Sequence, residues 1–135
     1  MSSRPSILLV DDNAEILEIL SLLLENEGYE VATARDGVEA LRCLHDGLHP
    51  GLIILDLAMP GMDGWAFRRA QMDDPELRDI PTVIYSAGHA QRGLETLRVA
   101  GTLEKGGDFG ALLSLVANLC NDGRHGLSTG TQRER

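Results

Sequence analysis

Five polar residues with reactive side chains follow short apolar segments of this sequence. They are Asp11, Asp12, Asp56, Ser86 and Lys105. Three carboxylates placed close together repel one another, and either protonation of some of them or a divalent cation relieves that repulsion. A site made only of oxygen ligands suits Mg²⁺ better than zinc, which prefers cysteine and histidine. With a lysine and a hydroxyl able to bind oxyanions, this set is typical of phosphoryl transfer to an aspartate.

These residues can meet only if the apolar segments lie side by side. Ser6–Val10 and Leu52–Leu55 are short and rich in aliphatic residues, which predicts strands buried on both faces, whereas Tyr29–Thr33 alternates in the manner of a strand. Helical patterns alternate with the predicted strands. This order favours a parallel sheet with helices on both faces, so the strand ends share one edge. The predicted strands are Ser6–Val10, Tyr29–Thr33, Leu52–Leu55, Thr82–Tyr85 and Gly101–Glu104.

Helices are predicted from caps and apolar stripes between these strands. Asn13, Asp36 and Asp108 are candidate N-terminal caps, and Gly28 is a candidate residue just past the end of the first helix. The predicted helices run from Asn13 to about Glu27, from Asp36 to about Gly47, from Trp65 to Met72, from Ala90 to Val99, and from Asp108 onward.

The central stretch GLIILDLAMPGMDG places Asp56 directly after the most apolar strand. Pro60, Gly61 and Gly64 then prevent continued regular structure. A role for Asp56 as a helix cap fits poorly, because eight residues separate it from the helix that begins near Trp65. A role in chemistry is therefore favoured.

Composition limits the kinds of partner. The chain has 135 residues and a net charge of −9, which argues against direct binding of nucleic acid or an anionic membrane. No run approaches the length of a membrane span, and the stretch MSSRPSILLVDD lacks the apolar region of a signal peptide, so a cytoplasmic location is expected. We expect one domain over residues 1–120 and a disordered polar tail over residues 121–135.

The joint order of four motifs resembles the receiver domain of two-component response regulators. These motifs are LLVDD, LIILDLAMPGMDG, the Ser86-Ala87 pair and Lys105. The resemblance covers about Pro5 to Cys120. It implies a flavodoxin-like (βα)5 fold, a doubly wound parallel sheet with strand order 2-1-3-4-5.

The resemblance also implies a function. Asp56 would accept a phosphoryl group from a phosphohistidine on a sensor histidine kinase or a histidine phosphotransfer protein. Lys105 would pair with the phosphoryl oxygens, and the Ser86 hydroxyl would hydrogen-bond to one of them. The domain would then alter its contacts with a downstream protein target that the sequence does not name.

A magnesium site is part of the same resemblance. Asp12 and Asp56 would bind Mg²⁺ together with the backbone carbonyl of Ala58, and Asp11 would act through water. The domain would be a signalling phosphoacceptor that catalyses only its own phosphorylation and dephosphorylation.

Three features depart from the family pattern. Gly106 and Gly107 follow Lys105 where the family usually has proline, so the loop is freer. Thr102 stands where the family has its switch aromatic residue. The stretch from Ser86 to Lys105 is also shorter by about one helical turn.

Other functions fit the sequence less well. A degenerate receiver that binds partners without phosphorylation is the main alternative. A haloacid dehalogenase phosphatase needs a second aspartate at the position of Ala58. A flavodoxin needs a phosphate-binding loop where Asp11 and Asp12 would repel the phosphate. The tail over residues 121–135 is too short to hold a DNA-binding module, so a stand-alone receiver is expected, with a fragment of a longer protein as the alternative.

Overall fold

The structure is a computed structural model, and it describes residues 5–87, 93–106 and 108–128, with side chains to residue 120. Five parallel strands form one sheet in the order β2-β1-β3-β4-β5, which confirms the predicted topology. The strands are β1 (Ser6–Val10), β2 (Glu30–Ala34), β3 (Leu52–Leu55), β4 (Thr82–Ser86) and β5 (Gly101–Glu104).

Short polar side chains start the first three helices, as the sequence predicts for two of them. The Asn13 side chain accepts hydrogen bonds from the amides of Glu15 and Ile16, at 2.9 and 3.2 Å. Asp36 and Asp63 cap the second and third helices in the same way. The four α-helices of the described residues are α1 (Ala14–Asn26), α2 (Gly37–His45), α3 (Gly64–Met72) and α4 (Gly110–Ser128).

Two apolar cores cover the two faces of the sheet. Because successive strand residues point to opposite faces, Leu8 and Val10 pack toward α2 and α3, whereas Ile7 and Leu9 pack toward α1 and α4. Both faces of β3 are buried, which explains its continuous apolar run. No helix in the described part of the chain is long and apolar enough to cross a membrane.

The predicted helix over Ala90–Val99 is wrong for the residues that can be described there. A four-residue 3-10 helix, Leu94–Leu97, takes its place, and residues 88–92 lie outside the described residues. Gly93 and Arg98 flank it with φ values of 82° and 53°. Both lie in the left-handed region, which a right-handed helix cannot contain, so the helix is confined to one turn.

The last helix is longer than predicted. The sequence places its end near Cys120 and a disordered tail from Asn121, but α4 continues to Ser128. Its buried residues Leu112 and Val116 anchor the first turns against the sheet. Residues 129–135 lie outside the described residues.

Candidate functional site

Asp56 lies directly after β3 at the carboxyl edge of the sheet. Its amide donates to the Val10 carbonyl at 2.9 Å, so the backbone still follows the sheet register at this point. Asp56 is only 5% exposed. Its carboxylate is therefore held in place while the chain turns away into the following loop.

Ser86 is the last residue of β4 and contacts Asp56 directly. Its hydroxyl donates to Asp56 Oδ1 at 2.8 Å and accepts from the Leu57 amide at 3.3 Å. The Ser86 carbonyl accepts from the Lys105 amide at 3.0 Å. These bonds connect the ends of β3, β4 and β5, although the residues are 30 and 19 positions apart.

Lys105 places a positive charge between two of the acids. Its ammonium nitrogen lies 2.7 Å from Asp11 Oδ2 and 3.4 Å from Asp56 Oδ2. Burial lowers the pKa of Lys105, but the contacts with Asp11 and Asp56 outweigh it, and the pKa is raised above its ordinary value. Lys105 is therefore fully charged at neutral pH.

Asp11 and Asp12 complete the acidic cluster. Asp11 is 4% exposed and accepts a hydrogen bond from the Asn13 amide at 2.9 Å, whereas Asp12 is exposed. Burial, with a further contribution from the charge of Asp56, raises the pKa of Asp11 despite its bond to Lys105. The cluster is therefore crowded with negative charge that one lysine does not fully balance.

The cluster suits a small divalent cation. One carboxylate oxygen from each of Asp11, Asp12 and Asp56 lies within 4.8 Å of the others. Two oxygens bound to one Mg²⁺ are at most about 4.2 Å apart, so only small side-chain movements are needed. Exposure of Asp12 leaves room for the water ligands that Mg²⁺ retains.

Ala58 lies in the loop after Asp56, exposed and close to the cluster. Its amide lies 3.4 Å from Asp56 Oδ1, at the long end of hydrogen-bond distances. The backbone carbonyl of Ala58 as a metal ligand stays a prediction.

Sequence reasoning missed the role of Gly64. Its amide donates to the Leu57 carbonyl at 3.0 Å, and a Cβ atom here would clash with the Asp56 carbonyl oxygen and lie 2.7 Å from Leu57 Cα. Only glycine lets α3 begin this close to the backbone that carries Asp56. A glycine directly after the capping aspartate Asp63 was the available signal.

The missing switch aromatic is not replaced on β5. Thr102 is exposed, and Tyr85 on β4 is 4% exposed and packs in the core between the sheet and α1 and α4. Tyr85 borders a cavity of about 10 Å³ that Asp11 and Asp56 also line. The ring therefore lies beneath the acidic cluster.

The family comparison agrees with this geometry. Residues 7–117 match the model of the response regulator receiver domain. The chain belongs to this family, whose members are the receiver domains of two-component signalling systems.

Two curated relatives have the same domain within longer chains. The chain is 44% identical over 100 residues to response regulator PleD of Caulobacter vibrioides, covering 71% of this chain and 21% of PleD. It is 36% identical over 105 residues to the DNA-binding response regulator MtrA of Mycobacterium tuberculosis, covering 78% of this chain and 42% of MtrA. The chain thus spans less than half the length of either relative.

Solved receiver structures share the fold. Response regulator TrrA from Thermotoga maritima, in complex with Mg²⁺-BeF, has a TM-score of 0.76 and 32% identity, covering 85% of this chain and 98% of TrrA. Chemotaxis protein CheY4 of Vibrio cholerae has a TM-score of 0.80 and 28% identity, covering 87% and 99% of the two chains.

Proposed function

We propose that this receiver domain accepts a phosphoryl group on Asp56 from a phosphohistidine of a sensor histidine kinase or histidine phosphotransfer protein. The observation that carries the proposal is the surroundings of Asp56. A buried carboxylate lies within 3.4 Å of a lysine ammonium and 2.8 Å of a serine hydroxyl, beside two further acids.

In the proposed transfer, a carboxylate oxygen of Asp56 forms a bond to phosphorus. The bond between phosphorus and the donor imidazole breaks, and its electron pair stays on the imidazole nitrogen. The product is an acyl phosphate on Asp56. Positioning and charge stabilisation supply most of the catalysis in such a transfer, because the protein needs no acid or base of its own.

Lys105 and Ser86 supply groups that suit the phosphoryl oxygens. The Lys105 ammonium, already near Asp56 Oδ2, can pair with an oxygen of the incoming group. The Ser86 hydroxyl can move its hydrogen bond from Asp56 to another phosphoryl oxygen. Both residues are tied to the sheet edge through the bond between the Lys105 amide and the Ser86 carbonyl.

Asp11, Asp12 and Asp56, with the carbonyl of Ala58, would hold Mg²⁺ in the proposed site. When bound there, Mg²⁺ neutralises charge on the transferring phosphoryl oxygens. Asp11 would act through a water molecule, since its Oδ2 already pairs with Lys105 at 2.7 Å and its Oδ1 accepts from the Asn13 amide.

We expect Asp12→Ala to weaken Mg²⁺ binding by about tenfold or more, because it removes a ligand. Titration of the fluorescence of Trp65, which follows Gly64 beside the site, measures the affinity. Asp46→Ala, an exposed aspartate at the far end of α2, is the control and should bind Mg²⁺ normally. Unchanged affinity in Asp12→Ala would remove Asp12 from the set of ligands.

Affinity for Mg²⁺ should also fall as the pH falls. Because the pKa of Asp11 is raised, protons compete for the cluster at a higher pH than they would for an ordinary aspartate. The free energy of unfolding of the metal-free protein should change in the opposite direction. Because the pKa of Asp11 is raised in the folded protein, the folded protein binds the proton more tightly than the unfolded chain, and it gains stability as the pH falls from neutral through that pKa. The same fluorescence titration across pH, with thermal denaturation in EDTA, measures both trends.

Phosphorylation would act on the loops after β4 and β5. Ser86 can close on the phosphoryl group, but exposed Thr102 provides no aromatic ring to turn inward. A ligand shifts an equilibrium only through contacts that differ between two states. We infer that the switch reorganises the loops that contain Ala87 and Lys105 more than it rotates a side chain on β5.

Hydrogen exchange with and without beryllofluoride, a phosphoryl mimic, tests the loop-centred switch. We expect the amides of Ala87, Lys105 and Gly106 to become the most protected, together with residues 88–90, 107 and 108. Of these, residues 88–90 and 107 lie outside the described residues. If hydrogen exchange stays unchanged in these loops but changes strongly in β5 and the 3-10 helix, the loop-centred switch is contradicted.

A degenerate receiver that only binds partners remains the second candidate. The departures at Thr102 and Gly106 concern the switch, whereas the acids, Ser86 and Lys105 are all in place around Asp56. A receiver that is no longer phosphorylated is usually expected to lack at least one of those groups. The presence of the complete set therefore supports a phosphoacceptor function. We propose that the downstream target is a protein, because a net charge of −9 disfavours direct contact with nucleic acid or membrane.

A further inference from the structure

A second pocket lies away from Asp56, at the other end of the sheet. Its volume is about 420 Å³, and Arg68, Met72, Arg78, Asp79 and Arg98 line it. Arg68 bonds to Thr82, the first residue of β4, whereas Ser86 is the last. A strand rises about 3.3 Å per residue, so the two sites are separated by about 13 Å along β4.

Arg68 is a buried cation without a carboxylate partner in the described part of the chain. It is only 4% exposed, and its guanidinium donates to the Leu97 carbonyl, the Arg98 carbonyl and the Thr82 hydroxyl, at 2.8, 2.8 and 3.1 Å. All three acceptors are neutral. Burial lowers the pKa of Arg68, and no acid in the part of the chain that the structure describes raises this pKa again.

The bonds of Arg68 leave donors available. A guanidinium has five N–H groups, and three are used by these acceptors, so two remain for a ligand. The neutral acceptors hold the guanidinium in one orientation, which reduces the entropy lost when it binds an anion. The Arg68 guanidinium therefore has no negatively charged partner among the described residues, and it is already held in one orientation in which an anion could bind.

Arg78 and Arg98 add two exposed guanidinium groups to the pocket. Asp79 is the only acidic residue among the described residues that line it, which leaves a formal charge of +2 there in a protein whose net charge is −9. None of the three arginines takes part in an ion pair among the described residues. Like charges gathered without partners favour occupation by an anion.

The volume of the pocket and its guanidinium donors indicate which class of ligand it could bind. The volume falls within the range of small-molecule sites, and planar guanidinium groups match phosphate oxygens in pairs. Met72 provides an apolar wall for an organic group. We propose that this pocket binds a small phosphate-bearing molecule, separately from the phosphorylation site.

Titration with inorganic phosphate, pyrophosphate and adenosine monophosphate tests this proposal. The full chain is used in metal-free buffer, with backbone amide NMR spectra recorded at each step. We expect saturable binding of at least one probe, with shifts centred on Arg78, Thr82 and Arg98. Absence of saturation for all three probes, or shifts centred on Ser86 and Lys105, would overturn the proposal.

Variants of the exposed arginines separate the pocket from general charge effects. Arg78→Gln and Arg98→Asn should each weaken binding by about tenfold. Asparagine tolerates the positive φ of 53° at position 98, so the turn should persist. Arg69→Gln, an exposed neighbour of Arg68 that does not line the pocket, should leave binding within about twofold. An equal loss in Arg69→Gln would show that binding is nonspecific and would also overturn the proposal.

Discussion

Asp56→Asn is expected to abolish labelling by acetyl phosphate in the presence of Mg²⁺. An amide cannot form an acyl phosphate, so the loss should be complete for this site. The variant should still fold, because the amide oxygen of asparagine can accept the hydrogen bond from Ser86. Intact-protein mass spectrometry, which detects the added mass of one phosphoryl group, measures the result.

Asp46→Asn is the matched control for this experiment. Asp46 is exposed at the C-terminal end of α2, and its replacement removes the same charge without touching the cluster. Labelling of this control should equal that of the wild type. Equal labelling of Asp56→Asn and wild type would contradict Asp56 as the acceptor, whereas slow labelling of Ser86 in the variant would not. A wild-type protein that takes up no label would favour the degenerate receiver.

Gly64→Ala is expected to destabilise the fold by about 2 kcal/mol and to slow phosphorylation. Two effects oppose each other at this position. Alanine is a better helix former than glycine by about 1 kcal/mol. Against this, the new Cβ would clash with the Asp56 carbonyl and lie 2.7 Å from Leu57 Cα, and overpacking against backbone costs about 3 kcal/mol.

The steric effect should dominate, because backbone atoms of the sheet edge cannot move away as a flexible side chain can. Any relaxation would displace the backbone of Asp56 itself. Thermal denaturation should show a melting temperature lower by about 8 °C. A Gly64→Ala protein as stable as the wild type would show that this close approach is not required.

Gly51→Ala provides the comparison for the glycine substitution. A Cβ at Gly51 would meet only the Ser6 carbonyl oxygen, at an ordinary 3.7 Å. Its effect on stability should stay within about 0.5 kcal/mol. Phosphorylation of Gly51→Ala should proceed as in the wild type. Comparing Gly64→Ala with Gly51→Ala therefore isolates the effect of the close approach between residue 64 and the backbone of Asp56.

Much of the fold could be predicted from the sequence because its causes are local. The apolar run of β3 reports burial on both faces, and the caps Asn13 and Asp36 start helices through bonds to amides two or three residues away. Once the strands are known to be parallel, their carboxyl ends must share an edge. Asp11, Asp56, Ser86 and Lys105 could therefore be grouped without any long-range information.

Other features depend on contacts between distant parts of the chain, and only the tertiary structure decided them. Lys105 lies closer to Asp11 than to Asp56, at 2.7 against 3.4 Å, which depends on how β5 sits beside its neighbours. Gly64 is required by the backbone of Asp56, eight residues earlier. Arg68 is buried against residues 14 to 30 positions away, although an arginine on a short polar helix is typical of an exposed surface. Sequence patterns report the average environment of a segment, whereas these positions are set by individual atoms that meet only after the sheet and helices have packed.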